Sequence, residues 1–344
     1  MNVKIAQVAI LSVLFAVPMF GQSVSEFVVP TPASEPFHIA GGPDGNLWFT
    51  ELAGNRIGRI TPTGGITEFP LPAAGSRPGG IAAGPDGAMW FTQLDPRIGR
   101  ISTTGAIVEF PIPSGAAGTQ ITSGPDGNLW FTQGSGAFNS VARMTTAGAI
   151  TEFPIPLQFC NARGIAAGAD GNLWFVCFGI SVGANAIGRV TPAGDVSMFM
   201  LTSNARPHRI TRGPDGNMWF TAPGANTIGR ITPNGVITEF PVPSGAVPYG
   251  IASGPDGHLW FTEPNANRIG RMSTTGAVNE IPIPTPNSGP LGICAGSDGN
   301  MWFVENFSNR IGRVDLNTSI PSLSSIGLVL FALSLAITVL RRLS

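Results

Sequence analysis

Every tryptophan in the chain belongs to one series: Trp48, Trp90, Trp130, Trp174, Trp219, Trp260 and Trp302, spaced 40 to 45 residues apart. A second ruler agrees, because Arg59, Arg100, Arg143, Arg189, Arg230, Arg271 and Arg313 follow those tryptophans by 10 to 15 residues. Both series mark one module, with the variation in length lying in the loop between them. A period of this size predicts an array, in which each unit buries its apolar faces only against its neighbours.

Within a module, Gly250-Ile251-Ala252 is a short apolar piece, and Gly254-Pro255-Asp256-Gly257 is a turn set by proline's fixed φ and glycine's tolerance of positive φ. Leu259-Trp260-Phe261-Thr262 is β-rich and ends at Glu263, after which Pro264-Asn265-Ala266-Asn267 turns the chain. Arg268-Ile269-Gly270-Arg271-Met272 alternates, and the last piece has the form of Ile237-Thr238-Glu239-Phe240-Pro241-Val242-Pro243. Four short strands per module make a propeller blade, and proline suits the outermost strand, which needs no full ladder of donors. With 46 glycines and 31 prolines among 344 residues, the composition argues against a long-helix protein, while 43% hydrophobic content argues against disorder.

The closure of the array is also written in the sequence. After Arg310-Ile311-Gly312-Arg313-Val314 no strand of the Glu-Phe-Pro kind follows, whereas Glu26-Phe27-Val28-Val29-Pro30 matches Glu68-Phe69-Pro70-Leu71-Pro72 and precedes the first module. The expected fold is therefore all-β, a closed seven-bladed β-propeller with four antiparallel strands per blade and the amino-terminal strand closing blade seven. An open solenoid would expose two apolar ends without caps. The repeated tryptophans and arginines read as packing between blades. Pro-Asp-Gly reads as a turn, since it lacks the alternating acidic residues of a calcium loop.

Residues 1–23 read as an export signal: Lys4 precedes an apolar stretch from Ile5 to Phe20, and Gly21 and Ser23 are small. Residues 24–316 form the propeller, and residues 317–344 are a sorting signal or a membrane anchor. There Ser319-Ile320-Pro321-Ser322-Leu323-Ser324 leads into an apolar run from Ile326 to Leu340 and then Arg341-Arg342. This tail resembles the carboxy-terminal sorting signals of Gram-negative bacteria that begin Ile-Pro-Thr-Leu, with Ser322 in place of threonine, which implies a membrane protease as partner. The protein is expected outside the inner membrane: periplasmic, in the outer envelope or secreted after the tail is processed, otherwise anchored in the inner membrane and facing out.

Lys+Arg 19 against Asp+Glu 20 leaves a net charge of -1, so nucleic acid is not an expected partner, and a monomer is expected. Cys160 and Cys177 lie 17 apart and either bridge or remain two buried thiols; Cys294 is isolated. No cysteine or histidine spacing suits zinc, and His38, His208 and His258 are too few for a multi-histidine centre.

Function is expected where the repeats differ. The residue after Trp-Phe-Thr or its variants is Glu51, Gln93, Gln133, Cys177, Ala222, Glu263 and Glu305 in turn. The segments entering the first strands differ too, among them Glu35-Pro36-Phe37-His38, Arg206-Pro207-His208-Arg209, Val247-Pro248-Tyr249-Gly250 and Gly289-Pro290-Leu291-Gly292. First strands line a propeller's axis, so His208 and Tyr249 are expected near one another on adjacent blades, with Glu263 within reach. That constellation would serve as an acid/base pair in an axial cleft, or as a polar lining around trapped water.

The modules Gly-Pro-Asp-Gly-Asn-Leu-Trp-Phe-Thr-Glu, Asn-Arg-Ile-Gly-Arg-Ile-Thr and Ile-Thr-Glu-Phe-Pro-Ile-Pro resemble those of the virginiamycin B lyase (streptogramin B lyase) family across residues 25–315. The resemblance implies a seven-bladed propeller and a magnesium-assisted elimination that opens a cyclic depsipeptide at its ester. In that family an Arg-Pro-His opens the sixth blade, its histidine contacting substrate, and a Glu-Pro-His opens the seventh, its histidine the general base and its glutamate a magnesium ligand. A second glutamate follows the seventh tryptophan strand. Carried over by blade order, the base falls on Leu291, its neighbouring metal glutamate on Gly289 and the substrate histidine on Tyr249, while the second metal glutamate survives as Glu305 without its partner. Arg206-Pro207-His208 matches the Arg-Pro-His motif one blade early; rotating the ring puts Val247 and Tyr249 where glutamate and histidine are required, and Glu263 at the second metal position.

The resulting expectation is a binding module that takes a ligand, glycan or protein across one propeller face, with no cofactor. The alternative is a magnesium-dependent streptogramin B-type lyase with a rearranged site built from His208, Tyr249 and Glu263. A third class, a purely structural surface module, would bind nothing.

Overall fold

The computed structural model describes residues 22–135, 138–179, 185–202, 204–243 and 245–316. The apolar leader up to residue 21 and the tail from residue 317 lie outside the described residues. Among the described residues all 28 elements are strands, arranged as seven sheets of four. Blade one runs Pro36–Gly41, Leu47–Glu51, Arg56–Ile60 and Ile66–Pro70 in antiparallel order. Five further blades repeat it in chain order.

Blade seven has Pro290–Ala295, Met301–Glu305 and Arg310–Val314 from the carboxy-terminal end, and its outer strand is Val24–Val28 from the amino-terminal end. Phe27 stands opposite Ile311 and Val24 opposite Val314. The strand thus begins and ends two residues earlier than the Glu26 to Pro30 that sequence comparison suggested. The Val29 amide still reaches the Asn309 carbonyl at 3.0 Å, but Pro30 has no N–H to continue the ladder, and the chain crosses to blade one.

Seven buried clusters hold the ring, each packing one blade on the next. Trp48 and Ile57 of blade one, for example, pack on Ile81, Met89, Phe91 and Ile101 of blade two. Closure follows the same rule: Trp302, Val304 and Ile311 of blade seven pack on Ile39, Leu47, Phe49 and Ile60 of blade one, with Val29 between them. Truncating any one of these tryptophans to alanine would cost about 3–5 kcal/mol.

The turn aspartate explains the fixed offset between Pro-Asp-Gly and tryptophan. Each indole N–H donates to the carboxylate four residues earlier, from Trp48 to Asp44 at 3.0 Å through to Trp302 and Asp298 at 3.1 Å. In six blades the indole stacks on its other side on the fourth-strand phenylalanine, as Trp302 does on Phe27 at 5.6 Å between ring centroids; blade six has Ile281 there. In four blades the repeated arginine lies over that pair and reaches forward: Arg59 donates to the Thr103 carbonyl of blade two at 3.0 Å, Arg143 and Arg189 do the same in their turn, and Arg313 closes the circle on the Pro62 carbonyl of blade one. The threonine of Trp-Phe-Thr adds a second link, Thr50 Oγ1 donating to the Gly79 carbonyl at 2.8 Å. These residue series are structural in every blade where they occur.

Candidate functional site

Where each first strand enters the ring, the residue before its proline, in five blades, takes a left-handed backbone: Glu35 at φ 53°, Arg77 at 49°, Arg206 at 47°, Val247 at 51° and Gly289 at 65°. Two residues later the chain reaches the axis. The first layer there is Phe37, Gly79, Thr119, Arg163, His208, Tyr249 and Leu291, and the layer beneath it is His38, Gly80, Gln120, Gly164, Arg209, Gly250 and Gly292.

The second layer alternates large with absent side chains, because seven large groups cannot share one axis. His38, Gln120 and Arg209 come from blades one, three and five, and glycine fills the rest. The space is fully used: a Cβ on Gly164 would lie 2.8 Å from the Arg209 Cα, and one on Gly292 2.9 Å from the His38 Cα. Gln120 Nε2 donates to His38 Nε2 at 3.0 Å. Arg209 lines both a face cleft of about 210 Å³ and an axial cavity of about 230 Å³, so this layer divides the channel between them.

The cleft is walled by Phe37, Leu52, Leu94, Arg163, His208, Arg209 and Tyr249. His208 and Tyr249 meet as expected from their adjacent blades, their rings tilted at 40° with centroids 3.9 Å apart. Arg163 Nη1 donates to His208 Nε2 at 3.0 Å. The Arg209 guanidinium lies 5.4 Å from the Tyr249 ring centre and 5.9 Å from that of Phe37, and Arg163 lies 4.9 Å from that of Phe178.

Burial, then the charges of Arg209 and Arg163, push the His208 pKa well below its ordinary value. Burial and the Arg209 charge push His38 down to about 3, against a hydrogen bond to the Ile81 backbone carbonyl that opposes them. Both imidazoles are therefore neutral at physiological pH. In each, the Nε2 lone pair already accepts a hydrogen bond, which leaves the proton on Nδ1; at His208 that nitrogen has no partner. Neither ring offers a free lone pair to a substrate proton.

Glu263 does not join His208 and Tyr249, and it is not among the residues lining the cleft. Strand alternation sends Thr262 toward blade seven, where its hydroxyl donates to the Leu291 carbonyl, and Glu263 to the opposite side. There Glu263 is fully buried beside Arg268 and the fourth-strand Glu280. Glu51 and Glu305 occupy the same place in their blades, facing Glu68 and Glu26. Blades two and three show what the position is for: Gln93 Nε2 donates to Glu109 at 2.8 Å and Gln133 Nε2 to Glu152 at 3.1 Å. A glutamate there must carry a proton to make the same bond. Burial and then the facing Glu68 push Glu51 up to about 8, burial and then Glu280 raise Glu263, and burial, partly offset by the Ser308 hydroxyl, pushes Glu305 up to about 7.

The residues present do not fit a magnesium ion. Glu305 accepts from Ser308 through Oε2 at 2.7 Å, and its Oε1 is buried without a donor. Gly289 supplies no ligand, and the Phe307 ring carbon stands 2.6 Å from where its Cβ would be. The left-handed backbone is not the obstacle, since Glu35, Arg77 and Arg206 adopt it. Among the described residues no three His, Cys, Asp or Glu are placed to hold a metal. Leu291 packs on the interface of blades seven and one and has no proton-accepting atom in its side chain.

Cys160 and Cys177 form a disulfide, Cα atoms 5.0 Å apart, joining the first two strands of blade four. This decides between the two readings left open by their spacing. Cys177 takes the place held by glutamate or glutamine in five blades, and in that same blade Met198 replaces the facing fourth-strand glutamate, so the polar pair is exchanged as a unit. Sequence reasoning placed Arg163, Arg209, His38 and Gln120 in the variable segments that enter the first strands but gave them no role in the site. The available signal was the alternation of bulky residues with glycine at one repeat position.

The sequence profile of the virginiamycin B lyase family matches residues 16–245 and 179–324. The chain belongs to this family. A virginiamycin B lyase from Bacillus licheniformis is 46% identical over 43 residues, a match covering 12% of this chain and 15% of that relative. The selenomethionine-substituted virginiamycin B lyase from Staphylococcus aureus is 36% identical, with a TM-score of 0.79 over 86% of this chain and 99% of the other. A catalytically inactive histidine-to-alanine variant of the Staphylococcus aureus enzyme, with quinupristin, matches to the same degree: TM-score 0.79, 36% identity, 86% and 99% coverage. This chain thus shares the seven-bladed ring of the virginiamycin B lyase family.

Proposed function

We propose that this chain is an exported virginiamycin B lyase-like propeller that binds a ligand at its axial cleft and does not carry out metal-assisted elimination. The observation that carries the reading is the state of His208: the one histidine in the cleft is buried and neutral, and Arg163 occupies its lone pair. The position that the family resemblance assigns to the base holds Leu291. Proton abstraction α to the ester therefore lacks a group to perform it.

Small size and apolar walls favour a small ligand, or a small part of a glycan or protein, as occupant. The Cys160–Cys177 bridge supports export, because disulfides persist in oxidising compartments. The tail from residue 317 enters this reading as a sorting or anchoring device handled by a membrane protease. Incubating the purified protein with quinupristin, with and without magnesium, tests the proposal by chromatography. Intact antibiotic is expected. Magnesium-dependent linearisation that disappears in His208→Ala while the fold persists would overturn it.

A further inference from the structure

We infer that the cleft takes an organic carboxylate that carries an apolar or aromatic group, held by Arg209 and Arg163. The inference rests on the ligand-binding reading above and names the chemistry of the ligand.

Two guanidinium groups stand in this cleft without a counter-charge. Arg209 is only 8% exposed, and among the described residues neither it nor Arg163 makes an ion pair. The contrast lies within the same chain: Arg97, Arg100, Arg268, Arg271 and Arg313 each have a carboxylate within 3.5 Å. Nε of both cleft arginines is buried with no acceptor, and the only bond from Arg209 Nη1 is a long one, 3.5 Å to the His208 carbonyl. No Asp or Glu lines the cleft. Arginine stays protonated in proteins, so the missing partner has to be an anion.

The walls select among anions. Phe37, Leu52, Leu94 and Tyr249 offer carbon surface, and Leu94 is 50% exposed at the rim. A strongly hydrated phosphate would lose water without gaining donors from such walls. A carboxylate has two oxygens to match the guanidinium fork and an organic body for the rings and leucines. Neutral His208 adds no charge, and holds Arg163 in position through its Nε2. The carboxylate could belong to a free acid or to the carboxy terminus of a peptide; both present the same group to the arginines.

The test is calorimetric titration of the full chain with 3-phenylpropionate, with its primary amide, and with a tetrapeptide ending in phenylalanine, free or amidated at its carboxy terminus. The acid or the free peptide is expected to bind, and its amide about tenfold or more weakly. Which of the two acids binds more tightly identifies the source. Arg209→Gln should lose the preference of acid over amide, and Arg209→Lys, which keeps the charge if glutamine disturbs the ring, should retain part of it. Equal binding of acid and amide overturns the carboxylate inference and leaves the binding module standing. So does acid binding that Arg209→Gln leaves unchanged, with circular dichroism showing an intact ring. Binding of neither acid nor amide overturns the inference too, while the quinupristin assay still judges the parent reading separately.

Discussion

Arg163 of blade four donates to Nε2 of His208 in blade five, 3.0 Å across a blade boundary. This bond ties up the lone pair that general-base chemistry would need and fixes the tautomer of the ring. Arg163→Gln removes both the charge and the charged donor. The His208 pKa should then rise, yet stay below 6.5, because burial is the largest of its causes. Proton resonances of the three histidines, followed against pH, measure this directly. An unchanged His208 titration would contradict the assigned electrostatics.

The amino-terminal strand should be indispensable to the closed ring. Deleting residues 24–29 removes the ladder on Arg310–Val314, the Phe27–Trp302 stack and buried Val29. Loss of cooperative unfolding, or a fall in stability of at least about 3 kcal/mol, is expected in denaturant titration. The milder Phe27→Ala should cost about 3 kcal/mol by truncating one aromatic.

Glu51 makes stability depend on pH in a defined direction. Its pKa is raised from 4.5 in the unfolded chain to about 8 in the ring, so the folded state holds the proton more tightly. Its contribution is complete below about pH 4.5 and is lost as pH rises to about 8, then levels off. Glu51→Gln copies blades two and three and has no proton to lose. It should match the parent near pH 5 and exceed it by at least about 1 kcal/mol at pH 8.5, read from urea unfolding at both values.

The Cys160–Cys177 bridge closes a loop with a sequence separation of 17. Reduction, or replacement of both cysteines by alanine, should lower stability by about 3 kcal/mol. Mass measurement after alkylation without reductant should find only Cys294 modified, and much more slowly in the folded protein than in the unfolded one, because the half-buried thiol has its pKa pushed up to about 12 by burial and then by Asp298.

The number of blades, the strands within them and the strand that closes the ring were all legible in the chain. Each depends on local, repeated chemistry: Trp48 must follow Asp44 by four residues for its indole to be capped, and Phe27 must recur like Phe69 to cover the tryptophan of its own blade. The axial face was only half legible. Adjacent blades gave the meeting of His208 and Tyr249, but the same reasoning sent Glu263 to the wrong side of its strand. The sign that it faces Glu280 lies in the fourth strand, 17 residues on, and becomes readable only once the register is known.

Periodicity therefore determined the architecture, since a repeat specifies its own neighbours. Tertiary structure alone decided what meets across the ring: Gln120 with His38, and Arg209 with Phe37, come from blades that no local spacing relates. It also decided the charge state of the histidines, because desolvation depends on every side chain converging on the axis, and no single repeat contains that information.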